Sequence, residues 1–399
     1  MLYKVISGGV TAPRGFKAAG VACGIKRSGK PDLAIVFSER DASAAGVFTK
    51  NEMAAPSVVL SRDNLAKGSA RAIVVNSGNA NACTGKQGEA DAVSMAEMTA
   101  RALGLCADEV VVASTGVIGV PLPIDRIRRG IEEATASLSD AGSADAAAAI
   151  LTTDTFPKER AIEVELSGGT VRIGGIAKGS GMIAPDMATM LAFLTSDASI
   201  HPDDLRSALR SVAERTFNSI TVDGETSTND MVVALANGAS GVKVGHGDLP
   251  AFEKAFEKIC SELAKMIVRD GEGATKLVEI TVDGAKSDAE AKKAAMAIAN
   301  SNLVKTAAFG CDPNWGRIVV ALGHSGVRLD PGSIAIKIGG IGIVDAGSPL
   351  PFDEKAASDE FGKEEVRIEV NLGIGEGAAT VWTCDLSYDY VRINSEYRT

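Results

Sequence analysis

The sequence predicts a layered α/β fold of the α+β type, built as two subdomains or as one large unit. Length is the first observation, because 399 residues exceed what one hydrophobic core usually organises. The second is patterning, since short apolar runs alternate with amphipathic helical stretches along the chain. The third is composition: only 4% of residues are aromatic and 43 are glycine, which favours a core of Ala, Val, Ile and Leu with many tight turns. No period of about 20–50 residues repeats, which excludes a solenoid.

The first predicted elements are buried strands, each followed by a polar or Gly-flanked turn and then by a helical pattern. In the helical stretches, apolar residues recur three or four positions apart. A hairpin turns at Gly168 and Gly169, the residue type that tight turns favour. We predict strands over 71–81 and 109–119, helices over 86–104, 123–138 and 143–152, and the hairpin over 161–179.

The same alternation continues after residue 189. The run MLAFLTSD is continuously apolar at its start, which is typical of a buried strand. Longer stretches that follow it have an apolar stripe at helical spacing. We predict a strand over 190–197, helices over 203–220, 248–270 and 288–307, a strand over 277–284, and mostly strands from residue 332 onward.

Charge and cysteine content exclude several classes of protein. The formal net charge of −10 leaves no basic excess to neutralise phosphates, so we expect neither nucleic acid nor an anionic membrane as a partner. No apolar stretch reaches the roughly 18–20 residues that span a bilayer, and the N-terminus lacks the apolar region of a secretory signal. Six cysteines without a CxxC pair, and three histidines without metal-ligand spacing, are typical of a reduced, metal-free protein with buried thiols. We therefore expect a soluble, cytoplasmic protein.

The segment GSGMIAPDMATMLAFLTSD, residues 179–197, runs from small residues into an apolar stretch and allows three interpretations. A phosphate-binding loop is disfavoured, because Lys178 precedes the glycines and Pro185 stands where a helix would begin. A Gly-rich connector that leads into a core strand would explain the pattern without any chemistry. In the third interpretation the protein breaks its own chain, with pliable residues before Thr189 and a rigid strand after it.

Self-cleavage would give Thr189 a chemistry that an internal threonine lacks. A threonine hydroxyl is a weak nucleophile unless a base lies beside it. An N-terminal threonine carries its own base, because its α-amine, with an ordinary pKa of about 7.7–8.0, can accept the hydroxyl proton. On residue chemistry alone, the connector and the cleavage interpretations both stay open.

Eight further blocks, in order along nearly the whole chain, resemble those of one enzyme family. With KGSGMIAPDMATMLAF between them, they are similar to the ArgJ family, the ornithine acetyltransferases or glutamate N-acetyltransferases of arginine biosynthesis. Each block alone is weakly specific, but eight in order around that segment are a specific match. The blocks are VFTKN (47–51), VVNSGNANACTG (74–85), ASTGVIG (113–119), TTDTFPK (152–158), TVDGETSTND (221–230), RDGEGATK (269–276), DPNWGR (312–317) and the terminal RINSEYRT.

The resemblance implies a DmpA/ArgJ-like fold with two subdomains and a precursor that cuts itself between Ala188 and Thr189. The products would be an α chain, 1–188, and a β chain, 189–399, which stay interleaved and assemble as an α2β2 heterotetramer in the cytoplasm. The implied reaction moves an acetyl group from N2-acetylornithine to glutamate through an acetyl-Thr189 ester, with no bound cofactor. Some members also use acetyl-coenzyme A as acetyl donor, so we expect that substrate as well.

The resemblance also implies the roles of residues at the site. The Thr115 hydroxyl and the Gly116 backbone N–H would form the oxyanion hole for the nucleophile Thr189, whereas without the resemblance this stretch is a plain strand exit. Lys178 would pair with the substrate carboxylate and Glu272 with the ammonium group of ornithine. The other substrate contacts would be Thr155, Asn394 and the terminal Thr399. Thr155 is ranked ahead of its neighbour Thr153, and a predicted strand YDYVRIN would hold Thr399 in place.

Two other functions remain open on the residues. An aminopeptidase or amidohydrolase of the same self-processing type would share Thr189 and the oxyanion donors but would release the acyl group to water. An uncleaved scaffold protein would keep its 399 residues in one piece and transfer nothing. Release of free acetate identifies the first alternative, and an intact chain mass identifies the second.

Overall fold

The computed structural model describes residues 3–184 and 190–395, which form mixed strands and helices. The strands are β1 (Tyr3–Ile6), β2 (Phe16–Val21), β3 (Leu33–Ser38), β4 (Ser43–Phe48), β5 (Ala72–Asn79), β6 (Val110–Val117), β7 (Lys158–Leu166), β8 (Gly169–Lys178), β9 (Leu191–Ser196), β10 (Met231–Ala236), β11 (Leu277–Ala285), β12 (Ala335–Ile338), β13 (Ile341–Asp345), β14 (Ser348–Pro349), β15 (Glu365–Asn371) and β16 (Gly377–Cys384). The helices are α1 (Pro56–Leu65), α2 (Gly85–Leu103), α3 (Ile124–Ala136), α4 (Ser143–Ala149), α5 (Pro202–Arg215), α6 (Leu249–Arg269), α7 (Asp288–Ala299), α8 (Asn302–Phe309), α9 (Trp315–Gly323), α10 (Glu354–Phe361) and α11 (Tyr388–Ser395).

The chain divides into two compact units, as the prediction of two subdomains requires. The first unit comprises Met1–Met182, Asp186–Asn218 and Thr226–Ile267. The second comprises Ile183–Pro185, Ser219–Glu225 and Val268–Thr399. The division into units therefore differs from the predicted division into α and β chains at residue 188, which stays a prediction.

The first unit contains two sheets. One has four strands in the order β2-β3-β5-β6, and the other has six in the order β1-β7-β8-β9-β10-β4. The pairs β5/β6 and β9/β10 are parallel, while the other neighbours are antiparallel. A cut between residues 188 and 189 would leave the neighbouring strands β8 and β9 on different pieces of one sheet.

Alternating side chains of these sheets fill two apolar layers. Along β5, Ile73 and Val75 belong to the layer between the sheets, where Phe193 of β9 meets them. Ala72 and Val74 point to the opposite face, beneath α2 and α3. Helix α5 packs against β4 and β10 of the six-stranded sheet. The first unit therefore stacks helices, two sheets and helices, with most of its core made of small aliphatic residues.

The second unit is one sheet with helices on it. Its strands follow the order β14-β13-β12-β15-β11-β16. Buried and exposed residues alternate along β15, where Val366, Ile368 and Val370 face the core. Ala294 of α7 and Ile318 of α9 belong to the same core, so these helices cover that face of the sheet.

Three predictions at the C-terminal end of the chain are wrong in part. The predicted helix over 288–307 breaks into α7 and α8, because the extended backbone of Ser301 lets its hydroxyl cap the Val304 N–H. The stretch from residue 332 onward is predicted to be mostly strands, but it also contains the helices α10 and α11. The segment YDYVRIN lies in α11, where an ion pair between Asp389 and Arg392, three residues apart, favours a helix over a strand.

Candidate active site

The C-terminal end of β6 presents the first predicted site residues. Thr115 is buried, and its hydroxyl oxygen lies 3.4 Å from the Lys178 ammonium at the end of β8, which donates to it. The two residues thus come together from strands of the two different sheets in the first unit. This contact joins the predicted oxyanion hole to the predicted carboxylate-binding lysine.

Gly116 faces Gly78 of the neighbouring parallel strand, and neither position accepts another residue easily. The two glycines are paired in the sheet and have φ angles of +131° and +116°, which L side chains rarely adopt. A Cβ atom on Gly116 would lie 2.3 Å from the carbonyl carbon and oxygen of Gly78. The end of β6 is therefore free of a side chain at Gly116, as close approach of a substrate carbonyl requires.

Lys178 belongs to a buried cluster of two cations and one carboxylate. Its ammonium donates to the Thr152 hydroxyl at 2.9 Å and lies 3.9 Å from the Asp154 carboxylate. Lys158, which is fully buried, donates to the same carboxylate at 2.6 Å. The Gly179 N–H also donates to Asp154, at 2.7 Å. Asp154 therefore organises the end of β8 and the residues just before β7.

The charge of this cluster keeps Asp154 ionised. Burial alone would raise the pKa of its carboxyl, but the neighbouring charges of Lys178 and Lys158 lower that pKa well below the ordinary value. Lys158 and Lys178 both lie against the Asp154 carboxylate. A buried lysine ammonium can bind an anion such as an amino-acid carboxylate.

Asn229 and Asp230, just before β10, connect this region to Met190, the second residue after the predicted cleavage bond. The Asn229 amide donates to the carbonyls of Ala80 at 2.6 Å and Ser114 at 2.8 Å, which ties the ends of β5 and β6 together. Asp230 accepts the Met190 N–H at 2.9 Å. Burial raises the pKa of the Asp230 carboxyl well above its ordinary value, although the Met190 hydrogen bond opposes the shift. The buried Asp230 carboxyl therefore contacts Met190, the residue that follows Thr189 in the sequence.

The second unit brings together two other predicted residues. The Asn394 amide of α11 donates to the Glu272 carboxylate at 2.8 Å and to the Tyr390 carbonyl at 3.0 Å. The Tyr390 hydroxyl donates to Asp223 at 3.3 Å. Burial, followed by the charge of Asp223, raises the pKa of Tyr390, and Glu272 and Glu225 add to the shift. This acidic cluster has the charge that an ammonium group requires.

The remaining predicted site residues are either exposed or outside the described part of the chain. Thr155 is exposed, next to the buried carboxylate of Asp154. Ala188, Thr189 and Thr399 lie outside the described residues, so their predicted roles stay predictions. The sequence interpretation assigned no role to the contributors Thr152, Asp154, Lys158, Asn229 and Asp230, although each lies within a block that carries the resemblance.

Cysteines and metal-ligating groups give no further site within residues 3–184 and 190–395. All six cysteines are free thiols, but Cys83 and Cys106 are exposed, so the prediction of buried thiols is wrong for these two loop positions. Among the described residues, no three His, Cys, Asp or Glu side chains are grouped as a metal site would need. In the same part of the chain, no helix combines the length and the apolar character of a membrane span.

Comparison with known proteins points to one family. A model of the ArgJ family matches residues 17–399. The "Arginine biosynthesis bifunctional protein ArgJ" of Symbiobacterium thermophilum is 53% identical over 399 residues, 99% of each chain. The protein of that name from Gloeobacter violaceus is 51% identical over 403 residues, covering 100% of this chain and 99% of its own. The crystal structure of the same protein from Bacillus halodurans is 48% identical with a TM-score of 0.50, and covers 51% of this chain and 97% of the solved chain.

The family match and these relatives define an acyltransferase of amino-acid biosynthesis. The chain belongs to the ArgJ family. It is therefore an acetyltransferase of arginine biosynthesis with the ArgJ-like α/β fold, as the sequence predicts.

Proposed function

We propose that the chain carries out its family's acetyl transfer through a threonine ester, with Thr189 taking the acetyl group from N2-acetylornithine and passing it to glutamate. The observation that supports this site most directly is the 3.4 Å contact between the buried Thr115 hydroxyl and the Lys178 ammonium. It places a predicted oxyanion donor beside a cation that can hold the carboxylate of an amino acid.

The first half-reaction opens the amide bond of the donor. The Thr189 hydroxyl oxygen attacks the acetyl carbonyl, and its proton passes to the Thr189 α-amine. The tetrahedral oxyanion is stabilised by the Thr115 hydroxyl and the Gly116 N–H. The carbon–nitrogen bond then breaks, the proton moves to the departing amine, and ornithine leaves an acetyl ester on Thr189.

The second half-reaction restores the free enzyme. The α-amine of glutamate attacks the ester carbonyl, the same donors stabilise the oxyanion, and the Thr189 oxygen leaves with a proton. Acetyl-coenzyme A would enter at the first half-reaction as an alternative acetyl donor, its thiol leaving in place of ornithine. The name of the relatives, a bifunctional protein, supports this second donor. The substrates are small molecules, and the chain needs no bound cofactor for these steps.

Self-cleavage between Ala188 and Thr189 would generate the α-amine that the mechanism needs. The solved Bacillus halodurans chain is almost fully covered yet matches only 51% of this chain, so it is about half as long. Either product of a cut after residue 188 would have about that length. Because β8 and β9 are hydrogen-bonded neighbours, the two products would remain in one sheet, and we propose an α2β2 heterotetramer in the cytoplasm.

Removing the Thr115 hydroxyl tests the oxyanion hole. We expect Thr115→Val to lower kcat for acetyl transfer by about 10²–10³-fold with little change in KM, as for loss of one oxyanion donor. Thr115→Ser, which keeps the hydroxyl, should recover most of the rate. Steady-state kinetics on cleaved protein measures both. A Thr115→Val variant with the wild-type kcat would show that the hydroxyl stabilises no oxyanion.

Neutralising Glu272 tests the ammonium contact. We expect Glu272→Gln to raise KM for N2-acetylornithine by about tenfold or more, because a charged hydrogen bond to the substrate is lost. The KM for glutamate, which lacks the side-chain ammonium, should change far less. Glu354→Gln, at an exposed position of α10, is the control. An equal rise for both substrates would contradict the proposed contact.

The reaction itself is tested by following the acetyl group. Incubation with N2-acetylornithine alone should release about one equivalent of ornithine and increase the mass of the β chain by one acetyl group. Addition of glutamate should return that mass to its starting value and yield N-acetylglutamate. Steady release of free acetate without glutamate would instead support a hydrolase, and no ornithine release would support a scaffold.

A further inference from the structure

Lys26 lies in the loop between β2 and β3, whose backbone N–H groups donate hydrogen bonds to one buried carboxylate. Asp32 accepts the N–H groups of Cys23 at 2.7 Å, Ile25 at 2.6 Å and Lys26 at 2.9 Å. Its carboxylate is fully buried. The backbone that carries the Lys26 side chain is therefore held in one conformation, and Arg126 donates to the Gly24 carbonyl of the same loop.

The loop places the stem of Lys26 against the end of β5. A Cβ atom on Gly78 would lie 2.8 Å from the Ile25 side chain and 3.5 Å from Cγ of Lys26. Gly78 is paired with Gly116 in the adjacent parallel strand, and neighbouring strands are about 4.8 Å apart. The Lys26 side chain thus lies beside the same strand ends that carry the proposed oxyanion hole.

The ammonium group of Lys26 lies near the site, and within residues 3–184 and 190–395 it forms no ion pair with a carboxylate. Its nitrogen donates to the Pro31 carbonyl at 2.7 Å, which leaves two of its three protons for other acceptors. The Asp32 oxygens are occupied by the three backbone N–H groups. Lys26 therefore has both the charge and the donor capacity to bind an external anion.

The electrostatic surroundings show that Lys26 belongs to the same charged region as Lys178. Burial, helped by the charge of Lys178, lowers the pKa of Lys26 to about 8 against the opposing charges of Asp32 and Asp154. The charge of Lys30 lowers the pKa of Lys26 by a smaller amount. A bound carboxylate would raise the pKa of Lys26 again, because a nearby negative charge favours the protonated amine.

We propose that Lys26 binds the side-chain carboxylate of the acceptor glutamate and thereby makes the second acetyl transfer selective for a dicarboxylic amino acid. The inference rests on the proposed function, in which Lys178 holds the α-carboxylate that donor and acceptor share. Glutamate carries one carboxylate more than ornithine, and Lys26 supplies a second cation beside the strand ends. The residue is a specificity determinant for the acceptor and takes no part in bond breaking.

Acceptor preference is the test. The wild type should prefer glutamate over glutamine, and Lys26→Gln should reduce the ratio of the two kcat/KM values by about tenfold or more, because one charge-assisted hydrogen bond is lost. Lys26→Arg should keep most of the preference. Lys30→Gln, at an exposed position of the same loop, is the matched control and should behave as the wild type.

A second readout separates this inference from the proposed function. Release of ornithine from N2-acetylornithine, measured in Lys26→Gln without acceptor, should stay within about twofold of the wild type, because the donor lacks a side-chain carboxylate. If that release and the acetyl ester on Thr189 are present but the glutamate preference is unchanged, the inference about Lys26 is wrong. If the wild type shows neither ornithine release nor an acetyl ester on Thr189, the proposed function is wrong, and the inference that rests on it is wrong as well.

The pH dependence gives a third readout. As pH rises through about 8, Lys26 loses its proton and KM for glutamate should rise in the wild type, whereas Lys26→Arg should delay the rise to higher pH. The charged groups around Lys26 include Asp32, Asp154, Lys178, Lys30 and Arg126, which donates to the same loop, and these five are present in both proteins. Identical KM profiles for the wild type and Lys26→Arg would overturn the assignment.

Discussion

Thr189→Ala should leave the chain as one piece of 399 residues and abolish acetyl transfer. Without the hydroxyl there is no nucleophile to attack the Ala188 carbonyl, so the α-amine is never released, and no acetyl ester can form. The expected loss of transfer is on the order of 10⁴-fold or more, as for other covalent nucleophiles. Intact mass under denaturing conditions measures the cleavage, and ornithine release from N2-acetylornithine measures the transfer.

Thr189→Ser is the matched control, because it keeps a hydroxyl that can attack and an amine that can serve as base. It should be cleaved at the same bond and retain part of the activity. The mechanism would be refuted by a wild-type protein that stays uncut yet transfers acetyl groups, or by a Thr189→Ala protein that is cut between residues 188 and 189.

Asp154→Asn should cause the largest loss of stability among the site variants. The substitution leaves the buried ammonium groups of Lys158 and Lys178 without their shared carboxylate, and removal of one partner from a buried ion pair costs about 3–5 kcal/mol. The urea midpoint, compared with the wild type at pH 7, measures the loss. Asp203→Asn, which removes an exposed partner of Arg206, should change the midpoint little.

The pH dependence of this loss has a definite sign. The folded state lowers the pKa of Asp154, so its contribution to stability is fully present above the unfolded pKa of about 3.9 and disappears as pH falls through the lower folded value. The difference in unfolding free energy between the wild type and Asp154→Asn should therefore be largest near neutral pH and shrink below about pH 4. A difference that stays constant down to acid pH would mean that Asp154 is not ionised in the fold.

The predictions from sequence were accurate where local patterns decide the structure. The hairpin between β7 and β8 is present, although it turns at Ser167 and Gly168, one position earlier than predicted, and the buried runs near 71–81 and 109–119 are β5 and β6. The helix predicted over 288–307 shows the limit, because Asn300, Ser301 and Asn302 favour a helix cap but interrupt the apolar spacing too briefly to show that the helix ends there. YDYVRIN shows the same limit, since its alternation suits a strand while its ion pair suits a helix.

The sequence by itself determined the layered α/β class, the family and the order of the site motifs, because alternation, turn residues and ordered blocks are properties of the linear chain. Only the tertiary structure decided which of those residues meet. Lys178 and Thr115 lie far apart in the sequence but in hydrogen-bond contact, and Asp154 acquires its role only when two lysines are buried around it. Lys26 illustrates the same physical reason, because charge and burial act through space between segments whose proximity no local pattern records.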